Sequence, residues 1–81
     1  MPRLREDGLH SVYVARGRFN DRSVVLYVGC TSRGLARFHE HARTARWWKY
    51  MTTTTWHHRA SREAALKTER LMIEKYKPLF N

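Results

Sequence analysis

The chain has 81 residues, with 16 Lys and Arg against 7 Asp and Glu, a formal net charge of +9. That length holds one domain near the lower limit for a self-supporting core, and the charge points to an anionic partner, usually nucleic acid. A single cysteine, Cys30, excludes an internal disulfide framework, the polar start Met1–Gly8 is not a signal peptide, and no run approaches the roughly 18 apolar residues of a membrane helix, so a soluble cytoplasmic protein is expected.

In chain order, residues 1–9 read as a loose, charged lead-in. Ser11–Ala15 is a short β-rich run, and Gly17–Arg22 (GRFNDR) carries turn chemistry. Val24–Gly29 (VVLYVG) is almost continuously apolar, which predicts a strand covered on both faces. Together the two runs predict a hairpin with a loop longer than the two-residue type. A first helix is expected from Ser32 or Arg33 to Thr44, with Thr31 or Ser32 as N-cap and Leu35, Phe38 and Ala42 as inner stripe. Of Trp47 and Trp48, at least one is expected to close the core, the alternative being stacking on a base. Lys49–His58 has a strand composition, its four threonines included. Ser61–Tyr76 reads as a second helix, N-capped by Ser61 and ended by Pro78. The expectation is a single α+β domain over residues 1–81, a small three-stranded antiparallel sheet flanked by helices in the order β-β-α-β-α.

Within the second helix, Ala65, Leu66, Met72, Ile73 and Tyr76 fall on one face. At about 100° per residue, Glu69 points into the middle of that face, while Glu63 and Glu74 point away. Desolvating an ionised carboxylate is costly, so Glu69 should have an arginine, a metal ion or a polar pocket beside it. A structural Glu–Arg pair is the plain alternative.

Tyr13 and Tyr27 lie in the two strands of the hairpin. Arg37 and His41 are one helical turn apart and share a face distinct from the Leu35, Phe38, Ala42 stripe. With Glu69 and Asn81 they supply two phenols, a fixed cation, an imidazole, a carboxylate and an amide. Phosphodiester hydrolysis uses such a kit: a base for water, a cation for the phosphate, and a carboxylate-held metal for the leaving oxygen. Singly, a strand tyrosine is more often core, a helical arginine solvated and a lone histidine a surface group; the joint spacing carries the reading. The other histidines, His10, His39, His57 and His58, lack zinc-site spacing with Cys30.

In these residues the chain resembles a GIY-YIG endonuclease domain from Ser11 to Asn81. Tyr27-Val28-Gly29 matches the second half of that signature, and Ser11-Val12-Tyr13 the first, with Ser for the usual Gly. Arg37 lies eight residues after Gly29, His41 one turn later, and Glu69 precedes Leu71-Met72-Ile73, Pro78 and Asn81 in the family's order. The resemblance implies metal-dependent nicking of DNA, one strand per active site. It implies Glu69 as the sole protein ligand of Mg²⁺ or Mn²⁺, Tyr13 as the base or water-positioning group, and Tyr27 and His41 beside the nucleophile or phosphate. Arg37 would clamp a phosphate oxygen, Asn81 would brace the site, and Gly29 would let the backbone turn beside the cleft.

Cys30 departs from members that carry Lys there, and Arg33 is the nearest replacement cation. Cys30 itself reads as a packed small residue. Arg33, Arg37, Arg43, Arg46 and Trp48 are the expected nucleic-acid-binding residues, and the DNA could be duplex, branched or flapped. Selection of a site must come from DNA structure, a homodimer or an accessory DNA-reading protein. The competing readings are a catalytically weak nucleic-acid-binding module on the same fold and a basic ribosome-associated protein.

Overall fold

The computed structural model describes residues 10–33 and 35–81, with the backbone alone at Leu35 and Arg37. The lead-in expected over residues 1–9 lies outside the described residues. The elements are β1 (His10–Phe19), β2 (Arg22–Thr31), α1 (Leu35–Thr44), a single 3₁₀ turn (Trp48–Tyr50), β3 (Met51–Arg59) and α2 (Arg62–Tyr76). The chain is α+β in the expected order, with one antiparallel sheet of order β2-β1-β3. No helix among the described residues is long and apolar enough to cross a membrane.

The central strand β1 explains the layering. Alternate side chains on a strand face opposite sides of the sheet. Val12 and Val14 pack with Val28 and with Ala65 of α2, while Tyr13 and Ala15 pack with Leu26, Trp47 and Phe38 of α1. The two helices therefore cover opposite faces, and all four of these β1 residues are at most 1% exposed. An irregularity in the pairing between Ala15 and Arg16 leaves Leu26 as the extra residue of β2. That bulge puts Leu26 with the α1-side cluster beside Tyr27. It is why Val24–Gly29 reads as a continuous apolar run.

The strands run well beyond the apolar runs seen in the sequence, and the hairpin is tighter than expected. Its loop is the two-residue Asn20–Asp21, both with positive φ (56° and 64°), between the paired Phe19 and Arg22. Positive φ at both central residues marks the type I′ turn that matches strand twist, and Asn and Asp tolerate it. At the same end of β1, Gly17 lets the backbone of Tyr50 close in, since an added Cβ would lie 1.9 Å from the Tyr50 carbonyl oxygen.

α1 also departs from expectation. It begins at Leu35, after a turn in which the Arg33 N–H donates to Thr31 Oγ1 at 2.9 Å. Ala42 is exposed, whereas Phe38 and His41 are buried. The inner face of the helix thus runs through His41, which the sequence placed on a separate face, because Ala42 has little to bury and His41 finds a buried partner. The Leu35 side chain lies outside the described residues. α2 matches its reading closely. Ser61 Oγ accepts from the Ala64 N–H at 3.1 Å, and Lys77 closes the helix in the left-handed region (φ 48°, ψ 62°) just before Pro78.

The chain end then runs along the free side of β2. The Leu79 and Phe80 N–H groups donate to Val25 and Leu26 carbonyls at 3.2 and 2.9 Å. Asn81 completes the ladder with its side chain: Oδ1 accepts from the Val28 N–H and Nδ2 donates to the Val28 carbonyl, both at 2.8 Å. A side-chain amide here stands in for a strand residue and covers an edge that would otherwise be open. Replacing Asn81 by Ala removes both bonds and should lower stability by about 1–3 kcal/mol, read from the midpoint of urea unfolding.

Candidate active site

Tyr13 sits at the middle of the central strand, opposite Gly29 on β2 and Trp56 on β3. Its ring lies directly over Gly29. A Cβ added there would be 2.5 Å from both Tyr13 Cζ and its hydroxyl oxygen, so only glycine admits this ring. Phe38 meets the ring edge-on at 5.6 Å and 79°, and Trp56 lies 5.2 Å away. The buried hydroxyl shares a 2.7 Å hydrogen bond with His41 Nε2. Gly29 was expected to let the backbone turn beside a cleft; in the structure its missing side chain makes room for the Tyr13 phenol.

Tyr27, half-buried on the same side of the sheet, stacks flat on Trp47 (5.0 Å, 13°) and faces His41 at 5.4 Å. Trp47 is 3% exposed and closes the core, while Trp48 leans on Phe38 at 4.8 Å. Tyr13, Tyr27, His41 and Trp47 therefore form one aromatic and imidazole cluster. Trp47, and Trp56 against the Tyr13 ring, are residues that the sequence alone does not place beside the tyrosines. Tyr13 was expected to meet water itself; at 1% exposure its hydroxyl touches His41 instead, and Tyr27 is the phenol nearer the surface.

Glu69 belongs to a different cleft, at the end of β2, lined also by His10, Cys30, Thr31, Ser32, Arg33, Arg62 and Leu66. Burial holds its carboxyl above the usual carboxylate range. Among the described residues no hydrogen bond or ion pair reaches it; Arg33 pairs instead with Glu40 at 3.1 Å on the surface. The carboxylate thus lies in a polar pocket, with no arginine partner among the described residues. Cys30, packed against the valines of the α2 side, is held as a neutral thiol, first by burial, then by the Glu69 charge, with Arg62 opposing. Glu63 and Glu74 are exposed, as read.

The expected kit therefore divides between two faces. Tyr13, Tyr27, His41 and Gly29 come together; Glu69 and Arg33 come together. The two groups meet along β2, where Gly29 serves one and Cys30 the other. Asn81 lies behind Val28 on the edge. Arg43 and Arg46 are exposed, and Arg46 lines another cleft with Trp48. The Arg37 side chain lies outside the described residues.

Gly29→Ala should cost about 3 kcal/mol and lower the Tm by more than ~10 °C, because the fully enclosed Tyr13 ring cannot move aside. Thermal unfolding followed by circular dichroism measures it. No family model, no curated protein and no solved structure matches this chain.

Proposed function

We propose that the chain is a divalent-metal-dependent endonuclease that nicks DNA, of the GIY-YIG kind its motifs resemble, working in the cytoplasm. The observation that carries this reading is Glu69: a partly desolvated carboxylate in an open cleft with Arg33 and Arg62, yet bonded to neither. A structural acid in a chain of net charge +9 would take an arginine; among the described residues this one takes none, which supports a metal ion as its partner. Among the described residues no three His, Cys, Asp or Glu side chains converge as a cage. A single carboxylate suits Mg²⁺ or Mn²⁺, which keeps most of its waters and shares the rest with phosphate.

In this reading Glu69 would hold the ion, and the ion would neutralise charge on the leaving oxygen. Arg33 and Arg62 present guanidinium forks to the phosphates on either side, and Arg37 on α1 is proposed to clamp a non-bridging oxygen. Tyr27, the phenol nearer the surface, would position the entering water. The Tyr13 hydroxyl, bonded to His41 Nε2 at 2.7 Å, would hold the imidazole in place behind Tyr27. Cys30, neutral and small, supplies no cation to the phenols. A nucleic-acid-binding module without cleavage is the second reading, and the burial of the Tyr13 hydroxyl favours it.

Supercoiled plasmid separates the two readings. Purified protein should nick it with Mg²⁺ or Mn²⁺ and not with EDTA, and Glu69→Gln should lose roughly a hundredfold or more of the rate. Absence of nicking under any metal, with DNA binding intact, leaves the binding module.

The raised carboxyl gives a second expected outcome. A folded-state pKa above the unfolded value stabilises the protein at low pH, and that contribution disappears as pH rises through the raised value. Ionised Glu69 is then uncompensated at neutral pH without metal. Glu69→Gln should melt no lower than the parent there, and Mg²⁺ should raise the Tm of the parent but not of the variant. Nicking should fall as pH drops through the raised carboxyl pKa, because the proton competes with the metal.

A further inference from the structure

The end of the molecule built from the hairpin tip, the α1–β3 connection and the chain end carries a second cleft that the proposed chemistry does not use. Phe19, Trp48, Tyr50 and Phe80 form its walls, and Arg46 and Lys49 stand at its rim. The rings are set almost at right angles. Tyr50 and Phe80 are nearly parallel (6.2 Å, 19°), and Phe19 stands edge-on to both, at 86° and 89°. All four rings are half-buried, so each keeps surface available. They are fixed in advance by separate parts of the fold. Phe80 is tied to β2 by its N–H on the Leu26 carbonyl, and Tyr50 is seated by the missing Cβ of Gly17.

A box of rings suits either a quaternary cation or a flat heterocycle. Its rim decides between them. Arg46 and Lys49 are exposed cations, and Lys49 Nζ already lies 5.3 Å from the Tyr50 ring centroid. A cationic ligand is repelled there, whereas an anionic one with a planar part is matched twice. The cleft is also close to the tyrosine cluster. Trp48 contacts Trp47 at 5.7 Å, and Trp47 lies flat on Tyr27.

We propose that this cleft takes an unpaired base of the DNA substrate, stacked on the rings with its flanking phosphates on Arg46 and Lys49. The protein would thereby select flapped or forked DNA over continuous duplex. This deepens the nuclease reading and rests on it for the choice of DNA.

Binding in EDTA tests it without any cleavage. Fluorescence anisotropy compares a flapped duplex with a blunt duplex carrying the same number of phosphates, and 2-aminopurine in the flap reports stacking by quenching. The flapped DNA should bind about tenfold more tightly, with quenching. The double variant Arg46→Ala, Lys49→Ala should weaken flap binding and reduce its salt slope by about 2. Tyr50→Leu should remove both the flap preference and the quenching. Should that variant fail to fold, the double variant, altered only at exposed positions, still decides. Equal affinity for flapped and blunt DNA, or flap binding untouched by the double variant, overturns the proposal. Tighter binding of single-stranded RNA of the same sequence overturns the choice of DNA. A protein that prefers flaps yet never nicks plasmid with metal sinks the nuclease reading alone, and one that nicks without the preference sinks only this inference.

Discussion

The closeness of the Tyr13 ring to the bare backbone of Gly29 is the constraint on which the rest of the structure depends. A three-stranded sheet has one strand flanked on both sides, and here both faces of that strand are covered as well. A tyrosine at its centre needs a vacant position across the pair and a buried partner for its hydroxyl. Gly29 supplies the first and His41 the second. A leucine would fill such a centre with no polar group to satisfy, so a phenol there is an added demand on the fold. Local rules that a sequence breaks tend to mark function, and this is the position where the chain breaks one most openly.

The two faces of the sheet are built from different materials as a result. The α2 side is aliphatic, with valines closed by Ala65, Met72 and Ile73. The α1 side is aromatic, with Phe38, Trp47, Trp56 and the two tyrosines packed around an imidazole. Small side chains let α2 sit close to the sheet, which carries Glu69 far enough inward to be desolvated. Rings hold α1 through their edges and faces, and they fix the direction of the Tyr13–His41 hydrogen bond. The chain end then seals β2, so its position is tied to the strand that connects both groups.

Much of this was legible in the sequence. The element order, the Ser61 cap and the stop at Pro78 follow from local chemistry, and Glu69 was visible because a carboxylate interrupts a 3.6-residue apolar pattern. What escaped depended on contacts distant in sequence. Asn20-Asp21 was read as part of a longer loop because the surrounding residues, Arg18, Arg22 and Ser23, carry no alternation, yet they pair in register. His41 was assigned away from the core because an imidazole counts as polar on its own; the Tyr13 hydroxyl, 28 residues earlier, makes it a core residue. The division of the site between two faces was hidden for a similar reason. Spacing along the chain gives the order of the residues but not the side of the sheet each helix covers.

α1 connects the parts of the proposed surface. Arg33 and the Glu69 cleft lie at its start, and Arg46, Lys49 and the aromatic cleft lie past its end. Ten helical residues rise about 15 Å, close to the length of four nucleotides in a B-form strand at roughly 3.4 Å each. Arg43, exposed on the last turn of the helix, lies between the two ends. A single strand laid along α1 would therefore meet cations at both ends and on the way, with a base held in the rings while a phosphate reaches the carboxylate. A helix of fixed length between two clefts can set the distance from a structural feature of the DNA to the bond that the proposed nuclease would cut. On the proposed arrangement the net charge would supply general attraction, and the spacing of the two clefts would supply the choice of site.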